Sequence, residues 1–346
     1  MITEAIKLLA EKRDLDFHQA EASVYEMMDG TVSAARTAAF LTAMSIKGET
    51  PEEIAGAASG MRAHALPVQY GGDLLEIVGT GGDGSQSFNI STTSAFVAAA
   101  GGVKVSKHGN RAASSKCGAA DVLEALGAEI EQGPAEAARL LDTVGMCFFY
   151  APLYHKAMKY VGPVRRELGI RTIFNILGPL TNPARAAYDC IGVYDESLVE
   201  PIARVLDRLG VARALVFYGR DGMDEISPSA ETKVCELDRG ALRTYVIRPE
   251  DCGLARGRKE NLTGGGAQEN AAITEAVLAG RRDGVYETRR NAVLLNAGAA
   301  FYVTGRAETL RAGVEMAARL IDGGRALSLM HEFVRASRTL AAREAV

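Results

Sequence analysis

Residues 1 to about 68 carry apolar positions at helical spacing and no alternating runs. Asp16 followed by Gln19, and the string Thr50-Pro51-Glu52-Glu53, each place a capping residue before such a run. The second adds a proline at the first helical position and a glutamate at the third. Between them Ala38, Ala39, Leu41, Thr42, Met44 and Ile46 predict a helix apolar round much of its surface, buried between elements or across a subunit contact. After Tyr70-Gly71-Gly72 the pattern changes. Short apolar runs at 74–78, 103–106, 146–150, 188–193 and 214–218 alternate with helical segments. One helix begins at about Ser91, one runs through Val122, Leu123 and Leu126 to Gly127, and one covers 198–209. This alternation predicts a largely parallel sheet covered on both faces. Residues 231–247 read as an antiparallel hairpin, so the sheet is mixed, and the chain is helical again from about Asn291.

The segment 152–185 breaks the alternation. It has little β character and carries Pro152, Pro163, Pro179 and Pro183, with helical pieces at 154–160 and 163–168. It is expected to return to the helical region, with hinges near 151 and 180. The expected fold is α/β: a small all-helical N-terminal domain (1–68, rejoined by 152–185) and a large α/β domain (70–151 and 186–346) whose mostly parallel mixed sheet is flanked by helices.

Composition narrows the classes. Of 346 residues, 47% are hydrophobic and 24% charged, which suits a globular chain and not a disordered one. A net charge of −4 disfavours a general nucleic-acid binder, which needs a basic face. The five cysteines stand singly, with no metal-binding spacing, and read as reduced core thiols. The N-terminal stretch lacks the apolar core of a signal peptide, and no apolar run is long enough to span a membrane. A cytoplasmic protein is expected, with neither nucleic acid nor membrane as a partner.

Three segments carry candidate chemistry. Gly79-Thr80-Gly81-Gly82-Asp83-Gly84 lies between a predicted strand and a predicted helix and satisfies G-x-G-x-x-G. A dinucleotide fold expects an acidic residue roughly 20 positions on, where this chain has Ala99 to Lys104. Asp83 would also repel a pyrophosphate unless a cation or a ribose hydroxyl intervened. Asn89-Ile90-Ser91-Thr92 then sets hydroxyls and free N–H groups at a helix start, where anions bind. A basic loop, Lys107-His108-Gly109-Asn110-Arg111 through Ser115 and Lys116, follows the next strand, so both loops open on one crevice. Asp224-Glu225, after a third strand, suits Mg²⁺ shared with substrate oxygens.

Together with Leu177-Gly-Pro-Leu-Thr-Asn-Pro183, these segments in this order resemble the anthranilate phosphoribosyltransferase family over essentially the whole chain. The resemblance implies transfer of a 5-phosphoribosyl group from phosphoribosyl pyrophosphate to the amine of anthranilate, in tryptophan biosynthesis. It implies a homodimer through the helical domains and two Mg²⁺ ions per subunit, held by Ser91, Asp224 and Glu225. Gly79, Gly82, Asp83, Asn89, Ser91, Thr92 and Lys107 would bind the donor, with Ser87 and Ser115 beside them. Asn110 and Arg165 would contact anthranilate, and His108, Pro152 and His155 would line its path. Lys107, His108 and Arg165 are the expected catalytic groups, with His108 as a candidate proton relay.

Two positions depart from the family pattern. Cys117-Gly118-Ala119 replaces Ser-Gly-Ser, so Ala119 keeps only a backbone N–H for phosphate, and Ser87 replaces a common threonine. Lys107, Arg111, Lys116 and Arg165 would concentrate positive charge in or near the crevice. Two rivals share the fold: a pyrimidine nucleoside phosphorylase, opposed by Asp224-Glu225 and residues 177–183, and an idle nucleic-acid-binding relative, opposed by the charge balance.

Overall fold

The computed structural model describes residues 1–112 and 115–344, so Ala113 and Ser114 of the basic loop lie outside the described residues. Seven strands form one sheet: β1 Leu75–Gly79, β2 Val105–Gly109, β3 Met146–Tyr150, β4 Tyr188–Gly192, β5 Arg213–Gly219, β6 Thr232–Asp238 and β7 Ala241–Ile247. Their order is β3-β2-β1-β4-β5-β6-β7. The first five are parallel, and β6 and β7 add an antiparallel hairpin to that edge. The strand order reverses between β1 and β4, where ligand crevices form at the carboxyl ends of parallel strands.

Helix Ile90–Ala100 follows β1 and buries every residue except Ser91. It lies against Tyr286–Val303, which is itself buried along most of its length. The opposite face of the sheet continues into the N-terminal helices. One apolar cluster runs from Leu9, Met27 and Phe40 through Ile173, Leu177 and Leu180 to Val205, Val216 and Leu237. Phe17–Met28 packs closely on Pro51–Ala63 because Gly56 and Gly60 have no side chain: a Cβ on Gly56 would stand 2.2 Å from the Phe17 carbonyl oxygen. Asp16 and Thr50 form the expected capping boxes. Glu53 of the second also accepts from Leu15 N at 2.9 Å and from Lys47 Nζ at 2.9 Å.

The chain crosses three times between the helices and the sheet, and the crossings are laced together. Leu66 N donates to Tyr154 O at 2.9 Å, Val68 N to Pro183 O at 3.2 Å, and Arg62 Nε to Leu180 O at 2.7 Å. Helix Met158–Leu168 then packs on Phe17–Met28 and Ala34–Lys47.

Several boundaries differ from expectation. The second strand spans Val105–Gly109 and not 103–106, so Lys107 and His108 belong to the strand, held by pairing with Phe148 and Phe149 of β3. Pro163 does not split its helix: Met158–Leu168 is continuous, anchored by buried Val161 and Val164. Helical structure resumes at Ala267–Leu278, well before Asn291. Helix Ala34–Lys47 buries Thr37, Phe40, Leu41 and Met44 on one face and leaves Ile46 73% exposed on the other.

Glycines at strand ends admit the segment that carries the acidic pair. Gly79 and Gly192 are register partners, and a Cβ at 192 would stand 1.7 Å from the Asp224 carbonyl oxygen. Gly192→Ala is therefore expected to cost about 1–3 kcal/mol of stability through overpacking. An unchanged urea midpoint would show that the 224 segment does not press on β4.

Candidate active site

The floor of the site is a gap in the sheet. β1 and β2 register Leu75 against Val105, and beyond that point side chains bridge the two strands. Glu76, fully buried on β1, accepts from His108 N at 3.1 Å through both carboxylate oxygens. Asn182 Nδ2 donates to Glu76 and, at 2.7 Å, to Ser106 O. Lys107 Nζ donates to Ile77 O at 2.8 Å and to Ser91 Oγ at 3.3 Å. Burial pushes the Glu76 carboxyl up to about 7 against the opposing pull of Lys107. Burial likewise lowers the Lys107 ammonium, which Glu76, Glu225 and Asp224 counteract.

Above this floor, the glycine loop and the acidic pair hold one another. Asp224 Oδ2 accepts from Gly81 N at 2.7 Å, Asp83 Oδ2 from Asp224 N at 3.2 Å, and Glu225 Oε1 from Ser91 N at 3.1 Å. Gly79 permits the approach, because a Cβ there would stand 2.2 Å from Asp224 Oδ2. Burial and the Asp83 charge push Asp224 up to about 8. Burial and Asp224 raise Glu225 well above the carboxylate range. A divalent cation would relieve this crowding, and two carboxylates beside the Ser91 hydroxyl are a hard-oxygen donor set of the kind Mg²⁺ takes. Asn89 is fixed by donating to Cys117 O at 3.2 Å and accepting from Asn270 Nδ2 at 2.9 Å.

The other wall comes from 151–179. Arg165 sets its guanidinium over the Phe174 ring, 5.4 Å from the centroid, while its neighbour Arg166 is exposed. The His108 and His155 rings lie 5.0 Å apart. His108 Nε2 and both ring nitrogens of His155 have no hydrogen-bond partner among the described residues. Burial, with the adjacent imidazole, pushes His108 down to about 3, and burial pushes His155 down to about 4. A neutral pair of this kind is a wall for a flat apolar ring and a poor proton acceptor.

One cavity of about 940 Å³ opens between these walls. It is lined by every residue expected to bind substrate or metal: Gly79, Gly82, Asp83, Ser87, Asn89, Ser91 and Thr92; Lys107, His108, Asn110, Ser115 and Ala119; Pro152, His155, Arg165, Asp224 and Glu225. The expected clustering of positive charge is corrected at two positions. Arg111 reaches the rim, but Glu124, Asp121 and Tyr150 Oη occupy its guanidinium. Lys116 is exposed and outside the lining. Glu76, Arg171 and Tyr194 were not singled out, and Asn182 entered only as part of the string 177–183. A lone glutamate inside an apolar strand was a readable signal for the first; Arg171 and Tyr194 have no local signature.

The chain matches the helical bundle domain of the Glycosyl transferase family over residues 3–65 and its a/b domain over 71–327. It is 52% identical to an anthranilate phosphoribosyltransferase of Methanobrevibacter smithii over 96% of this chain and 98% of the relative. It is 53% identical to one of Symbiobacterium thermophilum, over 95% and 96%. The crystal structure of the Thermus thermophilus anthranilate phosphoribosyltransferase superposes with a TM-score of 0.91 at 44% identity, covering 96% of this chain and 99% of that one. The Saccharomyces cerevisiae enzyme in complex with PRPP and Mg gives 0.89 at 26% identity, covering 98% of each chain.

Of the five histidines, His108 and His155 are expected to stay neutral from about pH 8 to about pH 5, which NMR of the imidazole signals checks. Their lowered values mean that the stability they contribute is complete above the unfolded value of about 6.5. It is lost as pH falls toward about 4 and about 3. A mid-range titration of either ring in the folded protein would contradict their burial.

Proposed function

The chain belongs to the anthranilate phosphoribosyltransferase family, and from that premise we propose how its cavity divides the work. It transfers the 5-phosphoribosyl group of phosphoribosyl pyrophosphate to the amine of anthranilate, releasing pyrophosphate, in tryptophan biosynthesis. One observation carries the division. The glycine loop, Lys107 and the acidic pair form one side of a single cavity, and Arg165 with the two neutral imidazoles forms the other.

On the first side, the N–H groups around Gly79, Gly82 and Asp83, with Lys107, receive the donor's phosphates. Ser87, Asn89, Thr92, Ser115 and the backbone of Ala119 complete its seat. Ser91, Asp224 and Glu225 would hold Mg²⁺, two ions per subunit, and the bound metal supplies positive charge to the leaving pyrophosphate. On the second side, the Arg165 fork pairs with the planar carboxylate of anthranilate, and Asn110 and Pro152 flank it. The ring lies against His108 and His155. The amine is thereby held in line with the anomeric carbon, the C–O bond to pyrophosphate breaks as the C–N bond forms, and the amine proton leaves to solvent or product. An aniline-type nitrogen attacks without prior deprotonation, so His108 is assigned to binding and not to proton relay.

The helical unit (1–68 with 152–185) contributes Pro152, His155 and Arg165 to the acceptor wall, and the α/β unit (70–151 and 186–346) contributes the donor wall and, with His108 and Asn110, the rest of the acceptor wall. The outer face of Ala34–Lys47, with exposed Ile46, supports a homodimer through the helices. The five free cysteines support a reducing, cytoplasmic setting.

Phosphoribosylation of anthranilate with and without Mg²⁺ tests the reading. Arg165→Ala is expected to lower kcat/KM for anthranilate by about 10–100-fold, the loss of a charge-assisted pair, with the donor KM little changed. Equal losses for both substrates would remove Arg165 from the acceptor site. Asp224→Asn with Glu225→Gln should abolish Mg²⁺-stimulated turnover, and an intact metal response would place the ion elsewhere.

A further inference from the structure

Within the glycine loop, Thr80 Oγ1 donates to Gly81 O at 3.3 Å and Asp83 Oδ1 accepts from Ser85 N at 3.1 Å, but its glycines bring no side-chain support. Gly81, Gly82 and Gly84 have φ of 69°, 72° and 72°, and a Cβ at any of them would meet nothing within 4 Å. No side chain belonging to these residues fixes their peptides, and glycine loses the most backbone freedom when ordered. From the sheet side the loop is held by Asp224, and by Thr80 N donating to Gly192 O at 2.9 Å.

From the other side it is held by Arg171. The guanidinium Nη2 donates to Gly82 O at 2.9 Å and lies over the Tyr194 ring, 4.1 Å from its centroid. Tyr194 follows β4, so the side chain is seated on the α/β wall. The backbone of Arg171 is anchored across the cavity. Its carbonyl oxygen accepts from Ser45 Oγ of helix Ala34–Lys47 at 3.0 Å, and it sits between helices Met158–Leu168 and Phe174–Leu177. Among the described residues no peptide bond is cis, and in a trans peptide the carbonyl and the following N–H point in opposite directions. Holding the Gly82 carbonyl toward Arg171 therefore turns the Asp83 N–H away from it.

We propose that Arg171 is a positioning residue: it reaches from the helical wall to the Gly82 carbonyl, orients the glycine-loop peptides for the donor's pyrophosphate, and makes donor affinity depend on the acceptor side of the cavity. This rests on the reading that the glycine loop receives the donor. Arg171 need not touch either substrate. A guanidinium suits the task because its planar fork can donate and stack at once, which an ammonium cannot.

The test is steady-state kinetics with phosphoribosyl pyrophosphate and anthranilate varied in turn, together with calorimetric binding of Mg²⁺-phosphoribosyl pyrophosphate. Arg171→Ala should raise the donor KM and Kd about tenfold, as expected for one charge-assisted hydrogen bond at a partly solvated site. The anthranilate KM and the melting temperature should stay unchanged. Arg171→Lys should recover part of the loss, Tyr194→Leu should move the donor KM in the same direction as Arg171→Ala, and the exposed control Arg166→Ala should behave as wild type. An equal rise in both KM values would mark a general structural role and overturn the proposal. Gly82→Ala separates the layers, since a side chain at φ +72° strains the loop directly. A donor KM raised by Gly82→Ala and unmoved by Arg171→Ala overturns the latch alone. A donor KM indifferent to both overturns the donor-loop reading and the latch with it.

Discussion

Everything at the bottom of the cavity depends on a cation buried between two strands. Lys107 stands in β2 at 1% exposure, and its ammonium fills part of the space where β1 and β2 separate. An isolated charge at that depth is strongly disfavoured, so the surroundings supply partners: the Ile77 carbonyl, the Ser91 hydroxyl, and the negative field of Glu76, Glu225 and Asp224. The Glu76 carboxylate does a second job, accepting the His108 N–H that lies on the β1 side of β2. The strand separation, the direction of Lys107 and the seat of His108 are thus one arrangement. Removing any part would leave a polar group buried without a partner.

The same arrangement draws in the proline-rich crossing. Asn182 sits in the string 177–183 and spans Glu76 and Ser106 with one amide nitrogen, while its Oδ1 accepts from Ala184 N at 2.8 Å. The segment that delivers the acceptor wall is therefore tied to the strands that deliver the donor wall. With Arg62, Leu66 and Val68 bonded to the neighbouring crossings, the two walls share both a polar seam and an apolar cluster.

Much of this was legible from residue order, and the failures have physical causes. The glycine loop, Asn89, Ser91 and Asp224-Glu225 announce themselves because their chemistry is local: backbone donors at a helix start, and carboxylates after a strand. Arg165 became separable from Arg166 only when the helix phase set one over Phe174 and the other in solvent. Lys107 and His108 were read as loop because two basic residues seldom lie buried in a strand; the exception exists because a functional site overrides local preference. Arg171 gave no signal, since its meaning lies in a carbonyl 89 positions away. Arg111 misled in the opposite sense, because a basic residue near a site can be neutralised by acids 10 and 13 positions further along, on the helix that follows its loop.

The apolar cluster shared by the N-terminal helices and the sheet also bears on how the chain is made. The first 63 residues contain four complete helices, yet the surface they bury against is contributed by residues as late as Val216 and Leu237. During synthesis those helices emerge with an unsatisfied apolar face and hold it until more than half of the polypeptide has left the ribosome. Domains that close on themselves are finished in the order they are translated. Here the part made first is completed late, and the interval between the two is when the nascent chain is most open to chaperones and to self-association.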